Sequence, residues 1–277
     1  MSRKQHPPVD ELTVERIRSG LEDRFWKEIL CYRSVGSTNT VGLSLPLGDD
    51  NEDVGRIVVA DSQEKGRGRF DRTWISPPGV NIHASIVLRP GIPPAAGPFL
   101  TILAALAAAS AMKKETGIAV SIKWPNDLIV SRKKLGGILT EARTSRGVIT
   151  RAVIGIGINL NLRQEDFPPE ISAKATSSLI CTGSTFPRAG ILSAIMNEFE
   201  PRYEIFRKSG GLPLVREMKP LLDTIGREIT ICEGGEQICG VAEDIDDNGR
   251  LIVSLPSGLT RSVGSGEIVE TDTGSEC

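Results

Sequence analysis

The chain has 277 residues, enough to bury a sizeable core and to form one large domain with a second, smaller one. Hydrophobic residues make up 39% and charged residues 25% of it, as in ordinary globular proteins, and a formal net charge of -2 argues against a general nucleic-acid binder. Five cysteines without a CxxC pair and only two histidines argue against a zinc site and favour reduced thiols. The polar start and the lack of a long apolar run predict a cytoplasmic protein with no signal peptide and no membrane contact.

The first elements alternate with short polar turns. A helix is predicted over residues 11–21, because its apolar residues share one face, and an edge strand over residues 29–32. Ser37, Thr38 and Asn39 follow as natural helix caps and turn formers, and their side chains offer both donors and acceptors. A single early helix is too little for a helix-turn-helix, which argues against DNA binding.

Residues 63–74 form the most distinctive segment, a loop after a predicted strand at residues 57–60. Its two glycines let the backbone approach a ligand closely, and its three arginines match the geometry of phosphate and carboxylate groups. Trp74 adds a flat face for a ring. Taken alone, this composition fits a solvated basic loop as well as an anion-binding loop.

The central part of the chain has the pattern of a sheet covered by helices. The predicted strands lie at residues 81–88, on both sides of a turn at Asn126 and Asp127, at 135–141 and at 148–161, with a hairpin tip at 131–134. The predicted helices cover residues 98–116, 188–208 and 212–222. His83, alone on an apolar strand, is interpreted as a core side chain with satisfied hydrogen bonds.

From Thr224 onward, short strands alternate with frequent Gly, Pro, Asn and Asp turns, which is typical of a small β-barrel. We therefore expect two domains, residues 1–222 and residues 223–277. The polar tail after Glu270 is expected to fray.

Three segments, taken together and in order, point to one family. They are the Gly-Arg-Gly-Arg-Phe-Asp-Arg-Thr-Trp loop at residues 66–74, the Lys-Trp-Pro-Asn-Asp bend at 123–127 and the Gly-Ile-Gly-Ile-Asn-Leu-Asn strand at 155–161. With Ser37, Thr38 and Asn39 ahead of them, they resemble the biotin protein ligases (biotin–acetyl-CoA-carboxylase ligases) over residues 12–270. The resemblance implies an α/β (α+β) fold, in which a mixed sheet flanked by helices, related to class II aminoacyl-tRNA synthetases, precedes an SH3-like β-barrel.

The resemblance also implies a reaction in two steps. Biotin and MgATP give biotinyl-5′-AMP and pyrophosphate, and the biotinyl group then passes to one lysine of a biotin carboxyl carrier domain. The implied small-molecule ligands are biotin, ATP and Mg²⁺, the implied protein partner is that carrier domain, and a homodimer is an open expectation. Because the biotin carboxylate is already ionised, the first step needs cations that align two anions rather than a general base.

By motif position, the resemblance implies roles for individual residues. The biotin site would consist of Ser37, Thr38, Asn39, Gln63, Gly66, Arg67, Lys134 and Gly137. The adenylate site would consist of Arg69, Arg72, Trp74, Asn126, Asp127 and Asn159, with Asp127 also supporting Mg²⁺. Arg69, Lys123 and Lys134 would be the catalytic cations.

Asp71 departs from the family pattern, because it occupies the place of the last glycine in the loop at residues 66–74, called the arginine loop below. Aspartate tolerates left-handed backbone better than most residues, so the turn is expected to survive. Its charge near the phosphates would either pair with Arg72 or Lys65 or weaken retention of the adenylate.

Other functions fit the sequence less well. A lipoate–protein ligase shares the fold and reaction type, but its signature is expected elsewhere than in the bend at residues 123–127. A biotin-sensing repressor would need a DNA-binding domain, for which the residues before Ser37 are too few. A non-catalytic biotin binder would have no use for the cations Arg69, Lys123 and Lys134.

Overall fold

The computed structural model describes residues 12–22, 25–46 and 55–269, and within them the chain forms two β-sheets and seven α-helices. The strands of the larger sheet are β1 (Trp26–Val35), β2 (Gly55–Gln63), β3 (Ile82–Leu88), β4 (Ser121–Lys123), β5 (Asp127–Val130), β6 (Lys133–Ser145) and β7 (Val148–Ile158). Those of the smaller sheet are β8 (Glu228–Glu233), β9 (Glu236–Ile245), β10 (Leu251–Ser254), β11 (Thr260–Val263) and β12 (Glu267–Val269). The helices are α1 (Val14–Ser19), α2 (Thr38–Ser44), α3 (Gly97–Thr116), α4 (Pro169–Ser172), α5 (Ser178–Thr182), α6 (Arg188–Ser209) and α7 (Leu212–Met218).

The larger sheet has the order β1-β2-β3-β7-β6-β5-β4. β1 and β2 run parallel and the other neighbouring pairs are antiparallel, so the sheet is mixed, as predicted. The predicted edge strand is β1, which lies at one end of this order. The central strand β3 is buried along its whole length, which explains why its sequence is almost continuously apolar.

Helices flank this sheet on both faces. Successive residues of a strand point to opposite faces, so neighbouring residues of β3 contact different helices. Ile86 and Leu88 belong to the main core, which includes the buried faces of α3 and α6. Val87, between them, packs in a smaller cluster with Val41 of α2. The apolar stripe predicted for residues 188–208 is buried on α6, which confirms that helix as a core element.

The segment Pro94–Thr116, which includes α3, is long and apolar enough to span a membrane by length and composition, with 23 residues and a mean hydropathy of 1.8. However, 67% of its most apolar window is buried within the fold, against α6 and the larger sheet. A core helix passes the same test, so this segment gives no argument for membrane insertion. Its predicted end is confirmed, since Gly117 caps it with a left-handed φ of 74°.

The smaller sheet has the order β11-β10-β9-β8-β12, and all its neighbouring pairs are antiparallel. Four of its strands match the segments that the sequence predicts as strands, residues 229–231, 237–245, 251–253 and 259–263, whereas β12 was not predicted. Closure of these strands into a barrel stays a prediction. The tail from residue 270, expected to fray, lies outside the described residues.

Two local expectations from the sequence were wrong. The hairpin tip consists of Ser131 and Arg132, both with positive φ (48° and 66°), and β6 already begins at Lys133, so Lys134 lies in a strand rather than in the tip. His83 is a core side chain with 1% exposure, but neither ring nitrogen has a hydrogen-bond partner in the described parts of the chain. The His83 ring is therefore buried as predicted, but the predicted hydrogen bonds of its nitrogens are not found in the described part of the chain.

Candidate active site

A cavity of about 360 Å³ lies at one end of the larger sheet, where β2 and β7 end and β3 and β6 begin. Every residue of the predicted site except Gly66 lines it. These lining residues are Ser37, Thr38, Asn39, Gln63, Arg67, Arg69, Arg72, Trp74, Lys123, Asn126, Asp127, Lys134, Gly137 and Asn159. Segments far apart in the sequence thus meet at one cavity, while the ligand assigned to each residue stays a prediction.

Gly66 lies just behind the cavity wall and lets the arginine loop return on itself. The Trp74 backbone N–H donates to the Gly66 carbonyl at 2.9 Å. A Cβ atom at residue 66 would lie 2.5 Å from the Trp74 carbonyl oxygen, too close for any side chain. Glycine is required here by the close approach of the two ends of the loop.

One wall of the cavity consists of neutral polar groups at the start of α2. The Gln63 side-chain oxygen accepts hydrogen bonds from the Thr38 backbone N–H (2.9 Å) and the Thr38 hydroxyl (3.2 Å). The Gln63 amide donates to the Ser76 hydroxyl at 3.1 Å. Ser37 occupies the N-cap position of α2 but makes no side-chain cap hydrogen bond. This wall suits a neutral ligand with its own donors and acceptors.

Trp74 forms a second, flat wall. Its ring lies against β7, where a Cβ atom at Gly157 would be 2.7 Å from the ring atom Cε2. The Lys134 ammonium lies 5.7 Å from the ring centroid, a distance typical of a cation–π contact. The indole N–H is buried without a hydrogen-bond partner among the residues described. The Gly157 position is therefore what makes room for the ring.

Charged groups gather at the third wall, around the turn between β4 and β5. The Lys134 ammonium forms an ion pair with Asp127 at 2.7 Å. Arg69 donates to the side-chain oxygen of Asn126 at 3.3 Å, and the amide of Asn126 donates to the Ile138 carbonyl at 2.9 Å. The bend is thereby fixed to β6 and to the arginine loop at once.

The cations outnumber the acid at this wall. Burial lowers the pKa of Arg69, the nearby Asp127 carboxylate opposes that effect and Arg72 adds to it. A guanidinium stays protonated at any physiological pH despite such a shift. Among the described residues, the cavity lining holds six cationic side chains and two carboxylates, Asp127 and Glu267, which gives it a net positive charge suited to a polyanion.

Two arginines of the loop pair with acids that sequence reasoning missed. A terminal nitrogen of Arg67 lies 3.0 Å from both carboxylate oxygens of Glu141 on β6. Arg72 forms an ion pair with Glu267 on β12. No sequence signal marked these two acids, because each pair joins residues that are remote in the chain.

Further lining residues come from residues 160–187, the segment between Asn159 and α6, for which no site residue was predicted. Phe167, Ile171, Lys174 and Ala175 line the cavity there. Backbone hydrogen bonds join this segment to Lys134, whose N–H donates to the Lys174 carbonyl at 2.8 Å. The segment has no clear periodicity, since its ordered pieces are as short as α4 and α5, and the sequence therefore gave little signal.

Asn159 and Asp71 require separate comment. The Asn159 side-chain amide donates one of its two N–H groups to the Thr176 carbonyl at 3.1 Å, which fixes the orientation of the side chain. In the turn at Arg69–Asp71, the left-handed residue is Phe70, with φ of 54°. The side chain of Asp71 lies outside the described residues, so its expected pairing is untested.

Comparison with known proteins agrees with this geometry. Residues 32–159 match the model of the Biotin/lipoate A/B protein ligase family, and residues 224–269 match that of the Biotin protein ligase C terminal domain. The bifunctional ligase/repressor BirA of Bacillus spizizenii is 36% identical over 251 residues, covering 91% of this chain and 77% of that protein. The biotin–acetyl-CoA-carboxylase ligase of Mycobacterium tuberculosis is 29% identical, covering 95% and 96%.

Solved structures give the same result. Biotin protein ligase from Aquifex aeolicus in complex with biotin and ATP superposes with a TM-score of 0.75 and 26% identity, covering 88% of this chain and 98% of that one. Fold, site and relatives define a ligase with the biotin-ligase catalytic fold. The chain belongs to the Biotin/lipoate A/B protein ligase family, on the branch of the biotin protein ligases. The resemblance seen in the sequence is confirmed.

Proposed function

We propose that this protein is an ATP-dependent biotin protein ligase, which forms biotinyl-5′-AMP from biotin and MgATP and transfers biotin to a lysine of a biotin carboxyl carrier domain. The observation that carries the proposal is the division of one cavity into a neutral polar wall and a cationic wall. Lys134 lies at the cationic wall, paired with Asp127, and its ammonium is also close to the ring of Trp74. The match of residues 224–269 to the biotin ligase C-terminal model favours biotin over lipoate.

For the first step, the residues have to hold two anions in line. We place the neutral ureido ring against Thr38 and Gln63, and the biotin carboxylate near Lys134. Arg69 and Lys123 then face the α-phosphate, where negative charge increases in the transition state. No side chain has to remove a proton, since the attacking group is a carboxylate that is ionised at neutral pH.

Magnesium fits the residues present only as a partner of the nucleotide. The described residues contain no group of three or more His, Cys, Asp or Glu side chains that could hold a metal by themselves. Asp127 is a hard oxygen ligand at the cationic wall, and Mg²⁺ commonly uses one or two carboxylates together with substrate phosphates. When bound, the magnesium ion would neutralise part of the negative charge of the nucleotide phosphates.

For the second step, the lysine of the carrier domain has to enter the same cavity. We propose residues 1–222 as the catalytic domain and residues 223–277 as an SH3-like barrel that borders the cavity through β12. A cytoplasmic location and independence from DNA are further parts of the proposal, and a homodimer is an open expectation that comes from the resemblance alone. Each can be measured separately from ligation.

The direct test is incubation of the protein with biotin, MgATP and a purified carrier domain, followed by intact-mass analysis of the carrier. We expect one added biotinyl group, release of pyrophosphate and no addition when lipoate replaces biotin. A carrier with its acceptor lysine changed to arginine is the matched control. Pyrophosphate release without any gain of carrier mass would contradict the transfer step, and lipoylation would contradict the choice of substrate.

A further inference from the structure

Glu141 contacts two residues of the predicted biotin site, although it does not itself line the cavity. Both of its carboxylate oxygens lie 3.0 Å from a terminal nitrogen of Arg67 in the arginine loop. One of them also accepts a hydrogen bond of 2.8 Å from the side-chain amide of Asn39 in α2. One carboxylate on β6 thus joins two walls of the cavity that belong to different elements.

The contact with Glu141 also fixes which way the amide of Asn39 points. A carboxylate can only accept, so it selects the nitrogen of the amide, which donates to the Leu139 carbonyl as well, at 3.1 Å. The amide oxygen then faces the hydroxyl of Ser85, 2.6 Å away. Asn39 is 3% exposed, and a Cβ atom at Gly155 would lie 2.5 Å from its oxygen, so the amide has no room to move aside.

This arrangement extends to the groups that we assign to the ureido ring. The Ser85 hydroxyl lies 2.8 Å from the hydroxyl of Thr38, and Thr38 in turn contacts Gln63 through its backbone N–H. A chain of hydrogen bonds therefore runs from Glu141 through Asn39 and Ser85 to the neutral wall. A substitution of Glu141 would therefore alter the positions of the hydrogen-bonding groups in the neutral wall, although Glu141 itself does not contact a ligand.

The charge of Glu141 matters as much as its hydrogen bonds. Arg67 brings a full positive charge to a site whose proposed ligand ring is neutral. The two contacts to Glu141 compensate that charge and keep the guanidinium away from the cationic wall at Asp127 and Lys134. The pair is partly exposed, with 39% exposure for Arg67 and 26% for Glu141, so its value lies in orientation more than in stability.

We propose that Glu141 is a positioning residue for biotin: it holds Arg67 and Asn39 so that the neutral wall keeps its donor and acceptor pattern. The inference rests on the proposed function, because it takes biotin as the ligand of that wall. It predicts an effect confined to biotin, since the contacts of Lys134, Asn126 and Asp127 do not involve Glu141.

The test compares steady-state constants of the wild type with those of Glu141→Gln and Glu141→Asp. Glutamine keeps the shape but places an amide N–H₂ against a donor, so we expect the KM for biotin to rise at least about tenfold, the scale of a lost charge-assisted hydrogen bond. The KM for ATP should stay within about twofold. Aspartate restores the charge on a shorter stem and should recover part of the biotin affinity.

Two further measurements separate positioning from a structural role. Glu217→Gln is the matched control, since Glu217 also holds an arginine, Arg202 at 2.6 Å, on the helical side of the fold, and it should leave both KM values unchanged. In an Arg67→Met background, the effect of Glu141→Gln on biotin should shrink, because one of its two targets is gone.

Each result bears on the inference. A selective rise in the biotin KM at an unchanged thermal midpoint supports it. Equal rises for biotin and ATP, or a fall in the midpoint that accounts for the loss, overturn it in favour of a structural role. A wild type that ligates biotin while Glu141→Gln is unaffected overturns this inference alone. A wild type that neither binds nor ligates biotin overturns the proposed function and this inference with it.

Discussion

His83 lies on the central strand of the larger sheet, and its ring is almost completely enclosed. Burial lowers its pKa from 6.5 to about 4, and the charge of Arg188 adds to that effect while Asp61 opposes it. The folded protein therefore keeps this imidazole neutral at a pH where the unfolded chain already binds a proton. The sequence identified a core position, but it could not show that the ring has no hydrogen-bond partner among the described residues.

The sign of the pH dependence follows from that difference. The unfolded chain gains a proton below about pH 6.5 and the folded state only below about pH 4, so the free energy of unfolding falls as the pH drops through this window. Between pH 7 and pH 5, His83 should contribute a loss of about 2 kcal/mol. Urea titrations of the wild type and of His83→Leu at both pH values measure it. The variant should show a flatter profile, and an identical slope in both proteins would refute the assignment.

Lys134 is the residue on which the proposed chemistry depends most. Its predicted role came from the motif, whereas its place in strand β6 and its pairing with Asp127 came from the structure. Lys134→Ala removes the cation that we place between the two anions, and the loss of one such electrostatic contact typically costs about 10²–10³ in rate. Pyrophosphate release measures this step without the carrier. Lys208→Ala, at an exposed position of α6, is the control and should keep its activity. If Lys134→Ala itself stays within about twofold of the wild-type rate, Lys134 does not belong to the active site.

At the scale of elements, β7 shows why an unusual strand sequence needs the fold to explain it. Glycines and asparagines are poor strand formers, and the sequence alone gave no physical reason for them. In the structure, Gly155 makes room for Asn39 and Gly157 makes room for the ring of Trp74. These two positions of the strand have no side chain because Asn39 and Trp74 occupy the space that a side chain would need.

Gly157→Ala tests this explanation. The new Cβ atom would meet the Trp74 ring at 2.7 Å, so the ring has to shift and the wall that we assign to adenine moves with it. We expect the KM for ATP to rise about tenfold and the free energy of unfolding to fall by about 1–3 kcal/mol, as is usual for overpacking. Near-ultraviolet circular dichroism should report the altered tryptophan environment.

The matched control for that substitution is Gly190→Ala on α6. A Cβ atom there would meet only the ring of Pro187, at 3.5 Å, which is an ordinary contact. Alanine favours a helix more than glycine does, so this variant should be neutral or slightly stabilised. Equal losses in both variants would mean that the Trp74 contact has no special importance.

Elements with a clear period could be predicted, and short irregular ones could not. Helix α3 followed from its run of strong helix formers and α6 from apolar residues at helical spacing, and the turn at Asn126 followed from its proline and its polar pair. The segment between β7 and α6 lines the cavity through Phe167 and Ile171, yet its helices have only four and five residues. Such segments are fixed by tertiary contacts, such as the backbone bonds to Lys134, and these have no local signature.

At the scale of the whole molecule, the smaller sheet is part of the site rather than a separate appendage. Its strand β12 brings Gly266, Glu267 and Ile268 to the cavity wall. The turn before β10 accepts a hydrogen bond at its Gly249 carbonyl from the indole of Trp124, at 3.0 Å. The sequence alone did not predict a role in the site for any residue after Thr224, because these contacts join parts of the chain that are more than a hundred residues apart.

Trp124 therefore links the smaller sheet to the bend that carries Asn126 and Asp127. Trp124→Phe keeps a ring in the same place but removes the donor, which leaves the Gly249 carbonyl unpaired. This hydrogen bond is partly buried, so its loss should cost about 1 kcal/mol, the net value of a typical hydrogen bond. We expect a lower free energy of unfolding by urea titration, and faster hydrogen exchange in the turn at residues 246–250 and in the bend.

Trp26→Phe supplies the control, because the same substitution there breaks no hydrogen bond. Trp26 is fully buried, and its indole N–H has no partner within the described residues. Both variants lose the same ring atoms, so the difference between them combines the lost bond to Gly249 with the removal of the unpaired N–H of Trp26. Trp124→Phe should be the less stable of the two by about 1 kcal/mol or more, and it alone should raise exchange in the smaller sheet. Equal stability and equal exchange would show that this hydrogen bond does not couple the smaller sheet to the active site.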